Sequence, residues 1–264
     1  MAHVLTGAEL DVHHLRVRKI DVADLKVALA KGLDDFLTRP SHAIFLAIIY
    51  PVVGLIVVRA ALGGAMMPLA FPIVAGFALV GPFAGIGLYE ISRRREQGLD
   101  CSAGPVLFDI FQSSALGAIA MLGTTLMVIF VVWLAVAQQL YRTFLGNMAP
   151  ASAAAFLHDL ATTPAGHMLI VVGNGVGFLF ALLVLATSVV SFPLLLDREV
   201  GLATAIVTSY RAVAANPATM SLWGLIVAIG LVLGSAPLLF GLAVVIPVLG
   251  HATWHLYRAV ILPD

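Results

Sequence analysis

Residues 114–138 read SALGAIAMLGTTLMVIFVVWLAVAQ and contain no charged side chain. About 20 consecutive apolar residues in a helix cross a bilayer core, which is about 30 Å thick. Backbone groups cannot stay unpaired in hydrocarbon, so such a stretch predicts a membrane-spanning helix. Similar stretches occur elsewhere, and together they predict an all-α fold, a polytopic transmembrane helical bundle with six spans. The further spans are predicted at residues 42–62, 66–89, 167–192, 218–234 and 236–256.

The composition of the whole chain supports a membrane protein. Its 264 residues are 61% hydrophobic and 11% charged, whereas a soluble domain is about 45–50% apolar and about 25% charged. The expected partner of this surface is therefore the lipid bilayer. The formal net charge is zero, and since nucleic-acid binding calls for a basic face, no nucleic acid partner is expected.

Basic residues predict how the chain is oriented. We divide it into residues 1–40, a cytoplasmic N-terminal segment with an amphipathic helix, and residues 41–264, a six-helix transmembrane domain. Lys and Arg concentrate in cytoplasmic loops, so both termini are expected in the cytoplasm. The outer side then holds only Arg59 and Arg142. The inner side holds Arg16, Arg18, Lys19, Lys26, Lys31, Arg39, Arg93, Arg94, Arg95, Arg198, Arg211 and Arg258.

A weak internal repeat groups the spans into three hairpins. An amphipathic stretch precedes the first, third and fifth spans, at residues 24–37, 106–111 and 203–213, with the apolar spacing of an interfacial helix. Each return span has a proline near its cytoplasmic end, followed four or eight residues later by a titratable side chain. These prolines are Pro82, Pro193 and Pro247. The alternative is that any six-helix protein shows such similarity.

The titratable residues after the prolines are the candidate site. Glu90, Asp197, His251 and His255 could form a polar vestibule on the cytoplasmic side, because an ionisable group near the bilayer often marks a pathway. The alternative for the two acidic residues is pairing with neighbouring arginines at the interface.

Two histidines four residues apart share one helical face and could hold a metal. His42 is predicted at a similar depth, so His42, His251 and His255 are a possible metal set, although no metal is expected. The alternative places His251 and His255 in an aromatic belt with Trp254 and Tyr257.

Asn174 is the most polar residue predicted at mid-membrane, between Gly173 and Gly175. It could mark a loosened helix of the kind that transporters use, or hydrogen-bond to a neighbouring helix.

Motifs typical of enzymes are missing from the sequence. There is no phosphate-binding glycine loop, no Gly-x-Ser-x-Gly elbow and no Cys-x-x-Cys-His, and Cys101 is the only cysteine. We therefore expect no enzyme activity and no cofactor.

Several segments resemble a known family. They are Val17–Ile20, the basic turn at residues 92–98, residues 192–199, and the ending at 247–258. They are similar to an uncharacterised family of proteobacterial integral membrane proteins, a domain of unknown function sometimes labelled cytochrome c oxidase subunit I-like, and the likeness covers nearly the whole chain. It implies the bacterial inner membrane but supplies no catalytic residue. The chain lacks the histidine set of an oxidase.

The resulting hypothesis is an accessory or assembly partner of a membrane complex, with other membrane subunits as partners. The alternative is a transporter or channel for a small solute or ion.

Overall fold

The structure is a computed structural model that describes residues 15–38, 64–77, 85–237 and 239–262. In these ranges it contains helices, turns and one isolated β-bridge, so the all-α prediction is confirmed. The helices are α1 (Val22–Thr38), a 3-10 helix (Gly64–Leu69) continued by α2 (Ala70–Phe77), α3 (Ile86–Glu96), α4 (Ala103–Gln112), α5 (Leu116–Leu145), α6 (Ala153–Thr162), α7 (Pro164–Ser188), α8 (Ser191–Asp197), α9 (Leu202–Ala215), α10 (Pro217–Ser235) and α11 (Leu242–Val260).

Among the described residues, three helical stretches are long and apolar enough to cross a membrane: α5, the pair α7–α8, and α10. They correspond to the spans predicted at 114–138, 167–192 and 218–234. The 30 residues of α5 extend about 45 Å at 1.5 Å per residue, more than a bilayer core. The predicted span 42–62 lies outside the described residues. The span 66–89 is described only at its two ends.

The last helix begins later than expected. The sequence predicts a span from residue 236, but α11 starts at Leu242 because residues 236–237 and 239–241 form turns. A Cβ added to Gly241 would lie 2.7 Å from the Gly234 carbonyl oxygen, so only glycine allows this close approach of the chain. Beyond the turn, α10 and α11 pack against each other.

Charged residues gather at one end of the bundle, hereafter the charged end, where α3, α8 and α11 all finish. Arg258 of α11 lies 3.3 Å from Glu96 of α3 and 3.4 Å from Asp197 of α8. α5 and α10 lead away from this end, whereas α7–α8 and α11 return to it. The opposite end carries α6, where the Tyr141 ring packs edge-on against Phe156.

The N-terminal segment is tied to the charged end. The Arg18 amide donates to the Val260 carbonyl at 2.8 Å, beside a bridge between Val17 and Ile261. The Asn216 side chain, between α9 and α10, accepts from the Ile20 amide at 2.8 Å and donates to the Arg18 carbonyl at 3.0 Å. The two ends of the described chain therefore lie together.

Helix α1 packs closely along α11. Its buried residues are Leu25, Ala28, Gly32 and Asp35, which lie on one face at spacings of three and four. A Cβ added to Gly32 would come 2.6 Å from the Ala252 backbone nitrogen, so glycine allows the two backbones to touch.

All three predicted amphipathic helices are present, as α1, α4 and α9. The inward face of α9 differs from the predicted apolar one, since it consists of the small and polar residues Thr204, Ala205, Thr208, Ser209 and Ala212. Small residues let helices approach closely. By contrast, α4 exposes an apolar face that includes Leu107, Phe108 and Phe111, as an interfacial helix requires.

Candidate functional site

A buried carboxylate lies at the centre of the charged end. Asp35 is 3% exposed, and its Oδ2 accepts hydrogen bonds from the Ser92 hydroxyl at 2.6 Å and from His255 Nε2 at 2.8 Å. Arg95 forms a salt bridge with its other oxygen. We call this group the Asp35 cluster; it comprises Asp35, Ser92, Arg95, Glu96, His251 and His255.

The cluster favours the ionised form of Asp35. Burial by itself raises the pKa of the Asp35 carboxyl, but hydrogen bonds from its three polar neighbours outweigh burial and hold that pKa well below its usual value. A buried charge is tolerated when it is paired and fully hydrogen-bonded, and Asp35 meets this condition with partners from α3 and α11.

The two histidines have different hydrogen-bond partners. The single Ser92 proton goes to Asp35, so the 2.8 Å contact between Ser92 and His251 requires His251 Nδ1 to donate. His255 Nδ1 lies 3.3 Å from Glu96 Oε1. His255 is therefore placed between two carboxylates, and only the doubly protonated ring has a proton for each.

An open cleft of about 460 Å³ lies beside the Asp35 cluster, hereafter the charged cleft. It is formed by the ends of α3, α4 and α8 and by the residues that follow them. Its lining contains four acidic and two basic side chains. The lining residues are Glu90, Arg93, Asp109, Gln112, Ser113, Ser114, Ala115, Leu195, Leu196, Asp197, Arg198 and Glu199.

The acidic residues deepest in the cleft are paired with internal partners. Glu90 is fully buried and accepts two hydrogen bonds from Arg93, at 2.8 and 2.9 Å. Asp197 accepts from the Tyr257 hydroxyl at 2.7 Å. Arg94 forms a salt bridge with Asp109 on α4. These contacts hold together the helix ends around the cleft.

The predicted vestibule residues therefore fall into two places. Glu90 and Asp197 line the charged cleft, whereas His251 and His255 lie in the buried Asp35 cluster. The aromatic-belt alternative is wrong, since Trp254 and Tyr257 are 0% and 1% exposed and cannot face the lipid headgroups.

The suggested metal set is described only in part, because His42 lies outside the described residues. Within the described ranges, no group of three or more His, Cys, Asp or Glu side chains is arranged to hold a metal ion. His251 and His255 instead contact Ser92, Asp35 and Glu96.

Asn174 lies on the exposed side of α7, and its amide donates to the Ile170 carbonyl at 2.7 Å. The helix continues through Asn174 and its flanking glycines, so the described structure has no unwound segment there.

Sequence reasoning did not identify Asp35, Ser92 or Glu96. A signal for Asp35 was present, because it continues the apolar stripe of Leu25, Ala28 and Gly32, where an acidic side chain must be buried. The sequence around Ser92 and Glu96 carries no comparable signal.

Comparison with known families gives one match. Residues 70–197 match the family described as "Predicted integral membrane protein (DUF2189)". The match includes the basic turn at 92–98 but neither terminal segment, so it is shorter than the near-complete likeness expected from the sequence. No curated protein and no solved structure matches the chain. Through residues 70–197, which are 128 of its 264 residues, the chain is therefore similar to this family of predicted integral membrane proteins.

Proposed function

We propose that this protein is a non-catalytic accessory or assembly partner of a larger membrane complex and that it docks through the charged cleft. The observation that carries the proposal is the cleft itself, an open and charged surface of about 460 Å³ at one end of the bundle. A charged segment of another membrane subunit fits such a surface, because complementary charge steers and orients association.

The pairing of the polar groups supports docking over catalysis. A general base or nucleophile needs a lone pair directed at a substrate, and a general acid needs a proton directed there. Glu90 and Asp197, the deepest acidic side chains in the cleft, are instead bonded to Arg93 and Tyr257. Their contacts stabilise the shape of the cleft, as a docking surface requires.

We further propose six spans in three hairpins, with both termini in the cytoplasm of a bacterial inner membrane. The path of the described chain supports this topology. α1 ends at Thr38 near the charged end, and the chain returns there at α3. Between them, the Pro72 carbonyl accepts from the Trp133 indole at 3.1 Å. Trp133 is more than halfway along α5 towards the opposite end, so Pro72 lies away from the charged end, as the turn side of a first hairpin would.

Site-specific photo-crosslinking in native membranes tests the docking proposal. A photoreactive residue replaces the exposed lining residue Gln112 or Glu199, and Met148 at the opposite end, which is 84% exposed, serves as the matched control. We expect one reproducible protein adduct from the cleft positions and not from Met148. A chain that yields no adduct at the cleft and purifies alone contradicts the proposal.

Transport of a small cation is the second candidate, and one observation favours it. Glu90 and Asp197 line the same cleft, where acidic side chains outnumber basic ones. Against it, Thr124, Thr125 and Ser235 on the described spanning helices bond the backbone of their own helices. They therefore do not form a polar path inward from the cleft.

Flux of K⁺ and of protons into proteoliposomes separates the two candidates. If the protein is a transporter, the flux should fall in Glu90→Gln and in Asp197→Asn. The variant His251→Ala tests whether the Asp35 cluster also contributes to the flux. Flux equal to that of empty liposomes would contradict transport and would not affect the docking proposal.

A further inference from the structure

A polar side chain faces outward from the middle of a spanning helix. Asn174 is exposed on α7, within the stretch Pro164–Asp197 that is long and apolar enough to cross a membrane. It lies about 10 Å along the helix axis from His167, where the apolar run begins. A carboxamide at this depth faces hydrocarbon that offers no hydrogen-bond partner.

The hydrogen bonds of Asn174 are incomplete. One amide proton goes to the Ile170 carbonyl. A carboxamide has a second amide proton and an acceptor oxygen, and neither has a hydrogen-bond partner among the described residues. Burying such groups in an apolar medium without partners is costly, so a partner for Asn174 stabilises the protein in the bilayer.

The backbone next to Asn174 is also open. A Cβ added to Gly175 would meet no atom within 4 Å, whereas one added to Gly177 would lie 3.2 Å from the Trp133 ring. Gly177 therefore serves packing between α7 and α5. Gly175 points outward, with Val171 (69% exposed) and Phe178 (60% exposed) on the same side.

We propose that this outward face, comprising Val171, Asn174, Gly175 and Phe178, binds the same face of a second copy of the chain. A two-fold axis along the membrane normal brings identical residues together. At such an axis the free amide proton of each Asn174 reaches the oxygen of the other. Gly175 lets the two helices approach closely enough for this pair to form.

The chemistry of the face favours a second copy over other occupants. Lipid cannot complete the Asn174 hydrogen bonds, and a different subunit would need a polar group at the same depth. A second copy brings the matching donor and acceptor to that depth automatically. The four residues carry no charge, so the two copies do not repel each other there.

The test measures self-association of the full-length chain in lipid. Fluorescence energy transfer between labelled copies, at varied protein-to-lipid ratios, gives the dimer dissociation constant. We expect Asn174→Val to weaken the dimer about tenfold, since an interhelical hydrogen bond in a membrane is worth on average about 0.6 kcal/mol and the dimer loses two. Thr124→Val on α5 is the matched control, because Thr124 is exposed and bonds its own helix at Ala120.

Crosslinking checks the face directly and does not depend on folding energies. In a Cys101→Ser background, single-cysteine variants Val171→Cys and Phe178→Cys, which keep Asn174, are expected to form disulfide-linked dimers. Val184→Cys, a buried position on the same helix, is expected to stay monomeric. A wild-type chain that is monomeric at every lipid ratio overturns the proposal, as does energy transfer that Asn174→Val leaves unchanged. Because this face is remote from the charged cleft, neither result affects the docking proposal, which the photo-crosslinking experiment tests separately.

Discussion

His255 Nε2 donates a hydrogen bond to the Asp35 carboxylate at 2.8 Å, and this contact joins the first described helix to the last. The two residues are 220 positions apart, yet both are buried at the charged end. Ser92 and Arg95 bring α3 to the same carboxylate. One ionised side chain thus connects three helices, and its removal should weaken the packing of all three.

Replacing Asp35 with Asn should destabilise the protein strongly. Removing one partner of a buried ion pair leaves the other charge uncompensated, which costs about 3–5 kcal/mol. The adjacent variant Asp34→Asn is the control. Asp34 also contacts Arg95, but it lies at the surface, where such a pair is worth about 0–1 kcal/mol. Thermal unfolding in detergent should rank the two variants in this order, and equal melting temperatures would contradict the assignment.

Acid should weaken the charged end. For Glu96, burial raises the carboxyl pKa, but the 3.3 Å contact with His255 Nδ1 and the charge of Arg258 outweigh burial, so the Glu96 pKa is lowered, as is that of Asp35. A carboxyl whose pKa is lowered by folding contributes its full stabilisation above its pKa in the unfolded chain, which is about 4. This stabilisation is lost as the pH falls from that value through the lower pKa of the folded state. The melting temperature should therefore drop from about pH 5 downwards. Asp35→Asn should drop less steeply, whereas the same acid slope in both proteins would refute this explanation.

The glycine contact between α1 and α11 gives a third prediction. Gly32→Ala adds a methyl group where the Ala252 backbone already lies, and overpacking of this kind costs about 1–3 kcal/mol. Gly87→Ala is the matched control, because a Cβ there meets nothing within 4 Å. In a helix that change should be neutral or stabilise by about 0.5–1 kcal/mol. If the unfolding midpoints of both variants shift in the same direction, the result is evidence against close packing at Gly32.

Asn216 should hold the N-terminal segment in place. In Asn216→Ala, the Ile20 amide and the Arg18 carbonyl lose their partner, and an unsatisfied buried group costs about 1–3 kcal/mol. Limited proteolysis should then cut near residues 15–21 faster than in the wild type. Ser102→Ala, which removes only an exposed hydrogen bond to Asp100, should leave the cleavage rate unchanged. If both variants are cut at the wild-type rate, Asn216 does not anchor the segment.

The sequence was most informative where one physical rule decided the structure. Long uncharged runs can only be buried or face lipid, so α5, α7–α8 and α10 were predicted, although α5 continues seven residues beyond the predicted end at 138. The start of α11 was missed because the turn depends on contact between Gly234 and Gly241. The Asp35 cluster was missed for a similar reason. Its residues come from three helices, and only their packing brings His251 and His255 next to Ser92 and Asp35.

Sided labelling tests the central claim most directly, namely that the chain spans the membrane with its charged end in the cytoplasm. The background is Cys101→Ser, and the single-cysteine variants are Lys26→Cys on the exposed side of α1 and Met148→Cys at the opposite end. In intact cells with the outer membrane permeabilised, a membrane-impermeant maleimide should label the Met148 variant and should label the Lys26 variant only after the inner membrane is opened. Equal labelling of both variants from the same side of the intact membrane would contradict the topology.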